Sequence, residues 1–109
     1  MRLTGTRIRV DDLDVRAAMT NRTSLRVGFV VPKYRHSAVD RNRLKRRLRE
    51  LVRLRLLPAW RRSGDLTQRA DILIRALPST YRVTMAELAA RIDQLSVLLG
   101  RHFAAHEVE

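Results

Sequence analysis

The sequence predicts a small single domain of the α+β class, with one sheet and two main helices. Its 109 residues fit one domain, and 45% apolar residues can supply one hydrophobic core. Two short segments rich in β-branched residues predict strands, and two longer segments with apolar residues every three or four positions predict helices. We therefore expect one domain over 1–109, with a variable segment at 1–24 and a flexible tail at 101–109.

The strands are predicted from short apolar runs that end at prolines. Residues 25–31 read Leu-Arg-Val-Gly-Phe-Val-Val and stop at Pro32, and residues 70–76 read Ala-Asp-Ile-Leu-Ile-Arg-Ala and are closed by Pro78. Both are expected to be buried on at least one face. An alternating stretch at 6–10 could form a further short strand.

The first predicted helix runs from about Val39 to Leu57. On a helical wheel, four apolar residues fall within an arc of about 100°: Leu44, Leu48, Leu51 and Val52. Ser37 or Asp40 could cap the helix, and Pro58 is expected to end it.

The second helix has the sharper boundary signals. Thr84 and Glu87 have the spacing of a capping box, in which each side chain accepts a hydrogen bond from the other residue's backbone amide. Five apolar residues follow at helical spacing, namely Met85, Leu88, Ile92, Leu95 and Leu99. Gly100 is the expected end of this helix.

The charge is strongly basic and concentrated. Arg and Lys number 23 against 11 acidic residues, which gives a net charge of +12. Residues 40–62 hold ten basic and two acidic residues, whereas residues 63–109 hold five and six. A solvated helix face normally mixes both signs, and like charges one helical turn apart repel each other. The first helix is therefore predicted to bind a polyanion.

The sequence argues against several other classes of protein. The chain contains no cysteine, which excludes a disulfide framework and a thiol nucleophile. It has no apolar run near the length of a membrane span and no apolar signal core, so we expect a cytoplasmic protein without membrane contact. The acids at 11–14 are expected to form a turn rather than a metal site, and His102 and His106 to be tail residues. No catalytic constellation is predicted.

The stretch at 38–50, Ala-Val-Asp-Arg-Asn-Arg-Leu-Lys-Arg-Arg-Leu-Arg-Glu, resembles the signature of the bacterial ribonuclease P protein component. The matching positions are Arg41-Asn42-Arg43, Lys45-Arg46 and Arg49-Glu50. The strand that leads to Lys33, the strand at 71–75 and the last helix follow in the family's order. The resemblance covers about residues 25–100.

The resemblance implies one RNA-binding domain that serves as the non-catalytic protein subunit of an endoribonuclease. Its partners would be a catalytic RNA, which carries the chemistry with Mg²⁺, and precursor tRNA, whose 5′ leader is removed. The chain itself would hold no cofactor. The implied RNA-binding residues are Lys33, Arg41, Asn42, Arg43, Lys45, Arg46, Arg47, Arg49 and Arg53. The resemblance also implies a mixed sheet with a left-handed strand–helix–strand crossover, against the general right-handed rule.

The N-terminal region departs from the family pattern. No aromatic residue precedes Phe29, so the family's N-terminal helix is expected to be missing or shortened. In the family, a cleft between helix and sheet accepts the leader. Candidate cleft residues here are Phe29, Tyr34 and His36, where Tyr34 could stack on a base or be a half-buried aromatic residue at the strand end.

Two other functions remain open from the charge pattern alone. One is a structural RNA-binding protein of the ribosomal type, with no role in processing. The other is a DNA-binding protein that places the basic helix in a major groove. The Arg-Asn-Arg signature favours the ribonuclease P assignment over both.

Overall fold

The computed structural model describes residues 6–19, 25–62 and 70–107. The strands are β1 (Thr6–Val10), β2 (Leu13–Met19), β3 (Arg26–Val30) and β4 (Ala70–Ala76). The helices are α1 (Ala38–Leu51), a π-helical turn (Val52–Leu56), α2 (Leu57–Arg62), a 3₁₀ turn (Pro78–Arg82) and α3 (Met85–Glu107).

The four strands form one mixed sheet in the order β1-β2-β4-β3. The β1–β2 and β2–β4 pairs are antiparallel, whereas β3 and β4 are parallel, with Phe29 opposite Ile74. Because α1 lies between β3 and β4 in the chain, these elements form the predicted strand–helix–strand crossover. The mixed sheet and the two long helices confirm the predicted α+β fold, and the left hand of the crossover stays a prediction.

The core lies between one face of this sheet and the two long helices. Alternate strand residues such as Val15, Ile72 and Ile74 point into it and are at most 1% exposed. All four apolar residues predicted for the first helix are buried: Leu44, Leu48, Leu51 and Val52. The apolar stripe of α1 therefore faces the sheet, which leaves the charged part of its circumference outside.

The strand β2 was not predicted, although its signal is visible in the sequence. Leu13, Val15 and Ala17 are buried and alternate with more exposed residues, as expected for a strand with one buried face. Together β1 and β2 form a hairpin, so residues 6–19 consist of two strands and their turn. Asp11, with a φ of 46°, and Asp12 form that turn, so the acidic turn predicted at 11–14 is confirmed for these two residues, whereas Leu13 and Asp14 belong to β2.

The prediction that Pro58 ends the first helix is wrong. The helical path continues to Arg62 because the backbone switches to a π-helical turn just before the proline, where the Leu57 amide donates to the Val52 carbonyl. Pro58 then lies in the first turn of α2, where a missing N–H is tolerated.

The capping box is confirmed, but the predicted end at Gly100 is wrong. The Thr84 amide donates to Glu87 Oε1 and the Glu87 amide to Thr84 Oγ1, both at 3.1 Å. The helix continues through Gly100 to Glu107, since an exposed glycine costs only about 1 kcal/mol relative to alanine. Residues 101–107, predicted as a flexible tail, are thus helical, and 108–109 lie outside the described residues.

Met85 is the exception in the apolar stripe of α3. It is 41% exposed, because it is the first residue of the helix and precedes the buried seam that starts at Leu88.

Candidate nucleic-acid interface

The outer side of α1 is an exposed basic surface, which we call the basic face. It is a shallow depression lined by Val39, Asn42, Arg43, Arg46 and Arg47. Ser37 caps the helix by accepting a hydrogen bond from the Asp40 amide at 3.1 Å, so the signature residues lie on regular helix from its first turn. Since Leu44 and Leu48 hold the opposite side in the core, the cations cannot turn away from solvent. The basic face can therefore contact several phosphates at once.

A groove between α1 and β3 is flanked by three further residues that were predicted to bind RNA, namely Lys45, Arg49 and Arg53. The groove has a volume of about 530 Å³ and is lined by Leu25, Val27, Phe29, Lys45, Arg49, Val52, Arg53 and Leu57. Arg53 donates to Glu50 at 2.5 and 3.3 Å, and this contact lowers the pKa of the Glu50 carboxyl. Phe29 packs against the core, so it forms an apolar wall of the groove rather than a free stacking surface.

Arg41 and Lys33 differ in how their side chains are placed: Arg41 is hydrogen-bonded within the fold, whereas Lys33 is exposed. Arg41 Nε donates to the Val31 carbonyl at 2.7 Å, which ties the first turn of α1 to the end of β3. Lys33 is exposed in the turn that follows β3. Arg41 thus has a structural contact in addition to any contact with RNA.

Tyr34 and His36 are not among the residues that line the groove with Phe29. Their rings instead meet Tyr81, from the 3₁₀ turn after β4, in an aromatic cluster. The His36 ring stacks on Tyr81 with centroids 3.9 Å apart and planes within 3°, and Tyr34 meets Tyr81 edge-on at 6.4 Å. The three predicted cleft residues therefore belong to two separate surfaces.

The cluster is anchored by hydroxyl hydrogen bonds to the backbone. Tyr81 donates to the Pro32 carbonyl at 2.6 Å, and Tyr34 donates to the Ala76 carbonyl at 3.2 Å. Burial raises the pKa of the Tyr81 hydroxyl above its ordinary value. Tyr81 was not predicted as a site residue. The sequence signal that could have identified Tyr81 is its position, three residues after the Pro78 that closes the predicted strand at 70–76.

The sheet face that carries no helix is a second basic surface, which we call the open face. Arg7, Arg9, Arg16, Arg26 and Arg75 lie there on four neighbouring strands. Arg7 is paired with Asp14 and Arg26 with Asp71. Within the described residues, no carboxylate pairs with Arg9, Arg16 or Arg75, and all three are exposed. Sequence reasoning missed this surface, because the strand β2 that joins its two halves was not predicted.

The acidic turn connects distant parts of the fold. Asp12 accepts from Arg91 Nε at 3.0 Å and from the Ser79 hydroxyl, and its carbonyl accepts from Thr80 Oγ1 at 2.8 Å. The hairpin turn is thereby fixed to α3 and the 3₁₀ turn.

The described ranges contain neither a cluster of metal ligands nor a helix that could span a membrane. Within 6–19, 25–62 and 70–107, no three His, Asp or Glu side chains come together in a way that could hold a metal ion. The side chains of His102 and His106 lie outside the described ones. Among the helices described, none is long and apolar enough to cross a membrane.

Comparison with known proteins agrees with these features. The family model described as Ribonuclease P matches residues 3–100. The ribonuclease P protein component of Acidothermus cellulolyticus is 43% identical over 84 residues, which cover 75% of this chain and 60% of the relative. That of Beutenbergia cavernae is 41% identical over 75 residues, which cover 69% and 57%. The chain thus spans about three fifths of the length of these relatives.

A solved structure supports the same fold. The RNase P protein of Staphylococcus aureus superposes with a TM-score of 0.70 at 20% identity, covering 87% of this chain and 81% of that one. At this identity the likeness shows the fold alone. The family match extends over nearly the whole chain and includes the helix that carries the basic face, so the chain belongs to the ribonuclease P protein family.

Proposed function

We propose that the chain acts as the protein subunit of ribonuclease P. It binds the catalytic RNA and helps to position precursor tRNA for removal of the 5′ leader, while the RNA carries the chemistry. The single observation that carries this proposal is the basic face of α1, where Asn42 and Arg43 of the family's Arg-Asn-Arg signature lie exposed on a helix fixed to the core. Family membership supports the choice of RNA as the polyanion.

The side chains of the basic face suit binding rather than catalysis. Guanidinium groups stay protonated and present several N–H donors to phosphate oxygens, so they neutralise and position RNA without taking part in proton transfer. We propose that the Mg²⁺ of the reaction is held by the RNA, as the resemblance to the family implies. The protein's contribution would be positioning and charge neutralisation.

We propose that the open face, rather than the groove beside Phe29, contacts the 5′ leader of precursor tRNA. In the groove, Glu50 already neutralises Arg53, and Phe29 packs against the core. On the open face, Arg9, Arg16 and Arg75 are exposed and form no ion pair with a carboxylate within the described residues, although Arg7 and, to a lesser extent, Arg16 and Arg9 lower the pKa of Asp14. Such an array across neighbouring strands can follow the phosphates of a single strand.

We expect the protein to lower the magnesium concentration that half-maximal cleavage requires. Its arginines replace part of the cation screening that the folded RNA and bound substrate otherwise take from Mg²⁺. The measurement is 5′ cleavage of precursor tRNA by the catalytic RNA, with and without protein, across a magnesium titration. The shift should be larger for a precursor with a long leader than for one with a single leader nucleotide.

The same titration separates the competing functions. A structural RNA-binding protein of the ribosomal type, or a DNA-binding protein, would leave both the cleavage rate at low magnesium and the magnesium midpoint unchanged. An equal shift for the two leader lengths would support the role as a ribonuclease P subunit and contradict the leader contact on the open face.

A further inference from the structure

The turn between β3 and α1 holds a histidine ring in a defined orientation at the surface. The His36 amide donates to the Lys33 carbonyl at 2.7 Å, which closes a four-residue turn. The two central residues, Tyr34 and Arg35, have φ values of 46° and 72°. Turns with two such positions favour glycine, asparagine or aspartate, so a tyrosine and an arginine there are conformationally disfavoured. The turn is therefore maintained by contacts from the rest of the fold.

Those contacts come from the aromatic cluster. The Tyr34 hydroxyl bonds to the Ala76 carbonyl, at the end of β4, and the Tyr81 hydroxyl bonds to the Pro32 carbonyl. Tyr81 then supports the His36 ring from one side, with the two planes parallel to within 3°. The imidazole is thus held on a fixed aromatic support.

The histidine side chain nevertheless remains 38% exposed. Tyr81 covers one face of the ring, and Nδ1 lies 3.7 Å from Asp40 Oδ2 at its edge. Among the described residues, Tyr81 is the one aromatic ring that stacks on it, and we infer that the exposed part of the side chain includes the face opposite Tyr81. Lys33 and Arg35, which precede His36 in the same turn, are exposed cations.

We propose that His36 is a stacking platform for one unpaired base of the bound RNA, a proposal that rests on the proposed function. His36 precedes the helix cap Ser37, so it lies within one turn of the start of the basic face. An RNA whose phosphates lie on that face passes next to the ring. A base turned out of its helix would extend the Tyr81–His36 stack, with Lys33 and Arg35 attracting the neighbouring phosphates.

The test compares His36→Ala with His36→Phe in binding to the catalytic RNA. Since stacking of one base on an aromatic side chain accounts for about a fivefold to hundredfold change in affinity, His36→Ala should weaken binding by that factor. His36→Phe keeps a flat ring on Tyr81 and should bind within about twofold of the original chain. The salt dependence should be the same in all three proteins, because no phosphate contact is lost.

Three outcomes would overturn the proposal. One is unchanged affinity for His36→Ala. Another is an equal loss for the alanine and phenylalanine variants, which would assign the effect to the imidazole nitrogens. The third is a loss for His36→Ala that follows a fall in melting temperature, with binding recovered at lower temperature, which would make the ring purely structural.

A parallel measurement with Arg46→Ala distinguishes failure of this inference from failure of the proposed function. If Arg46→Ala weakens binding while His36→Ala does not, the stacking platform is wrong and the RNA-binding function stands. If the original chain does not bind the catalytic RNA at all, the proposed function itself is wrong, and the stacking proposal falls with it.

Discussion

Affinity for the catalytic RNA is expected to fall by roughly three orders of magnitude between about 50 and 200 mM monovalent salt. The basic face and the groove carry their cations on one continuous helix, at the spacing that lets several phosphates bind together. Each neutralised phosphate releases condensed counterions, and this release becomes less favourable as the salt concentration rises. For about five to eight phosphates, the logarithm of the affinity falls with a slope of several units per logarithm of salt.

The measurement is a titration of labelled catalytic RNA with protein at several salt concentrations and constant magnesium. Arg43, Arg46, Arg47 and Arg49 are exposed, and no carboxylate pairs with them in the described part of the chain. They are therefore free to exchange solvent counterions for phosphate. An affinity that changes by less than about tenfold over this range would contradict binding through these cations.

Replacing Arg46 by alanine should weaken binding to the catalytic RNA by about tenfold to a hundredfold, because a charge-assisted contact with phosphate contributes about 1.5–3 kcal/mol. Arg46 lies in the middle of the basic face and is exposed. Arginine and alanine have similar helix propensities, so the melting temperature should change little. The salt slope should fall by about one unit, as expected when one phosphate contact is removed.

Arg101→Ala is the matched control. Arg101 is also an exposed helical arginine, but it lies near the end of α3, where the chain is close to electrically neutral. Its replacement removes the same charge from the protein and should leave the affinity almost unchanged. Equal losses for the two variants would mean that net charge, rather than the basic face, determines binding. A large fall in the melting temperature of Arg46→Ala would show that Arg46 is structural.

Where the sequence predicts an element well, the local signal and the tertiary structure agree. The strand β4 was predicted at its observed bounds because a buried apolar run ends at a proline. The helix α3 begins at its capping box, since the two reciprocal hydrogen bonds need only residues three positions apart in the chain. The buried side of α1 follows from the periodicity of its leucines, so the exposed basic face follows as well.

The errors arise where distant contacts or a local backbone change override the sequence signal. Pro58 does not end the helix, because a π-helical turn places it in the first turn of a new α-helix. The position of Tyr34 and His36 depends on Tyr81, which is more than forty residues away in the sequence. No pattern within residues 29–36 shows that Phe29 faces a groove while these two rings pack elsewhere. The separation of Phe29 from these two rings depends on the pairing of β3 with β4, which the local sequence does not determine.

The measurement that tests the central claim most directly maps where the protein touches the RNA. The chain contains no cysteine, so a single cysteine can carry a reagent that generates hydroxyl radicals. Val39, on the basic face, is 66% exposed, and Val97, on α3, is 54% exposed, so either can be replaced without removing a charge or a core contact. The reagent at Val39→Cys should cut the catalytic RNA strongly at a few defined positions, and excess unmodified protein should suppress these cuts. Cuts from Val97→Cys that equal or exceed those from Val39→Cys would contradict binding of the catalytic RNA by the basic face.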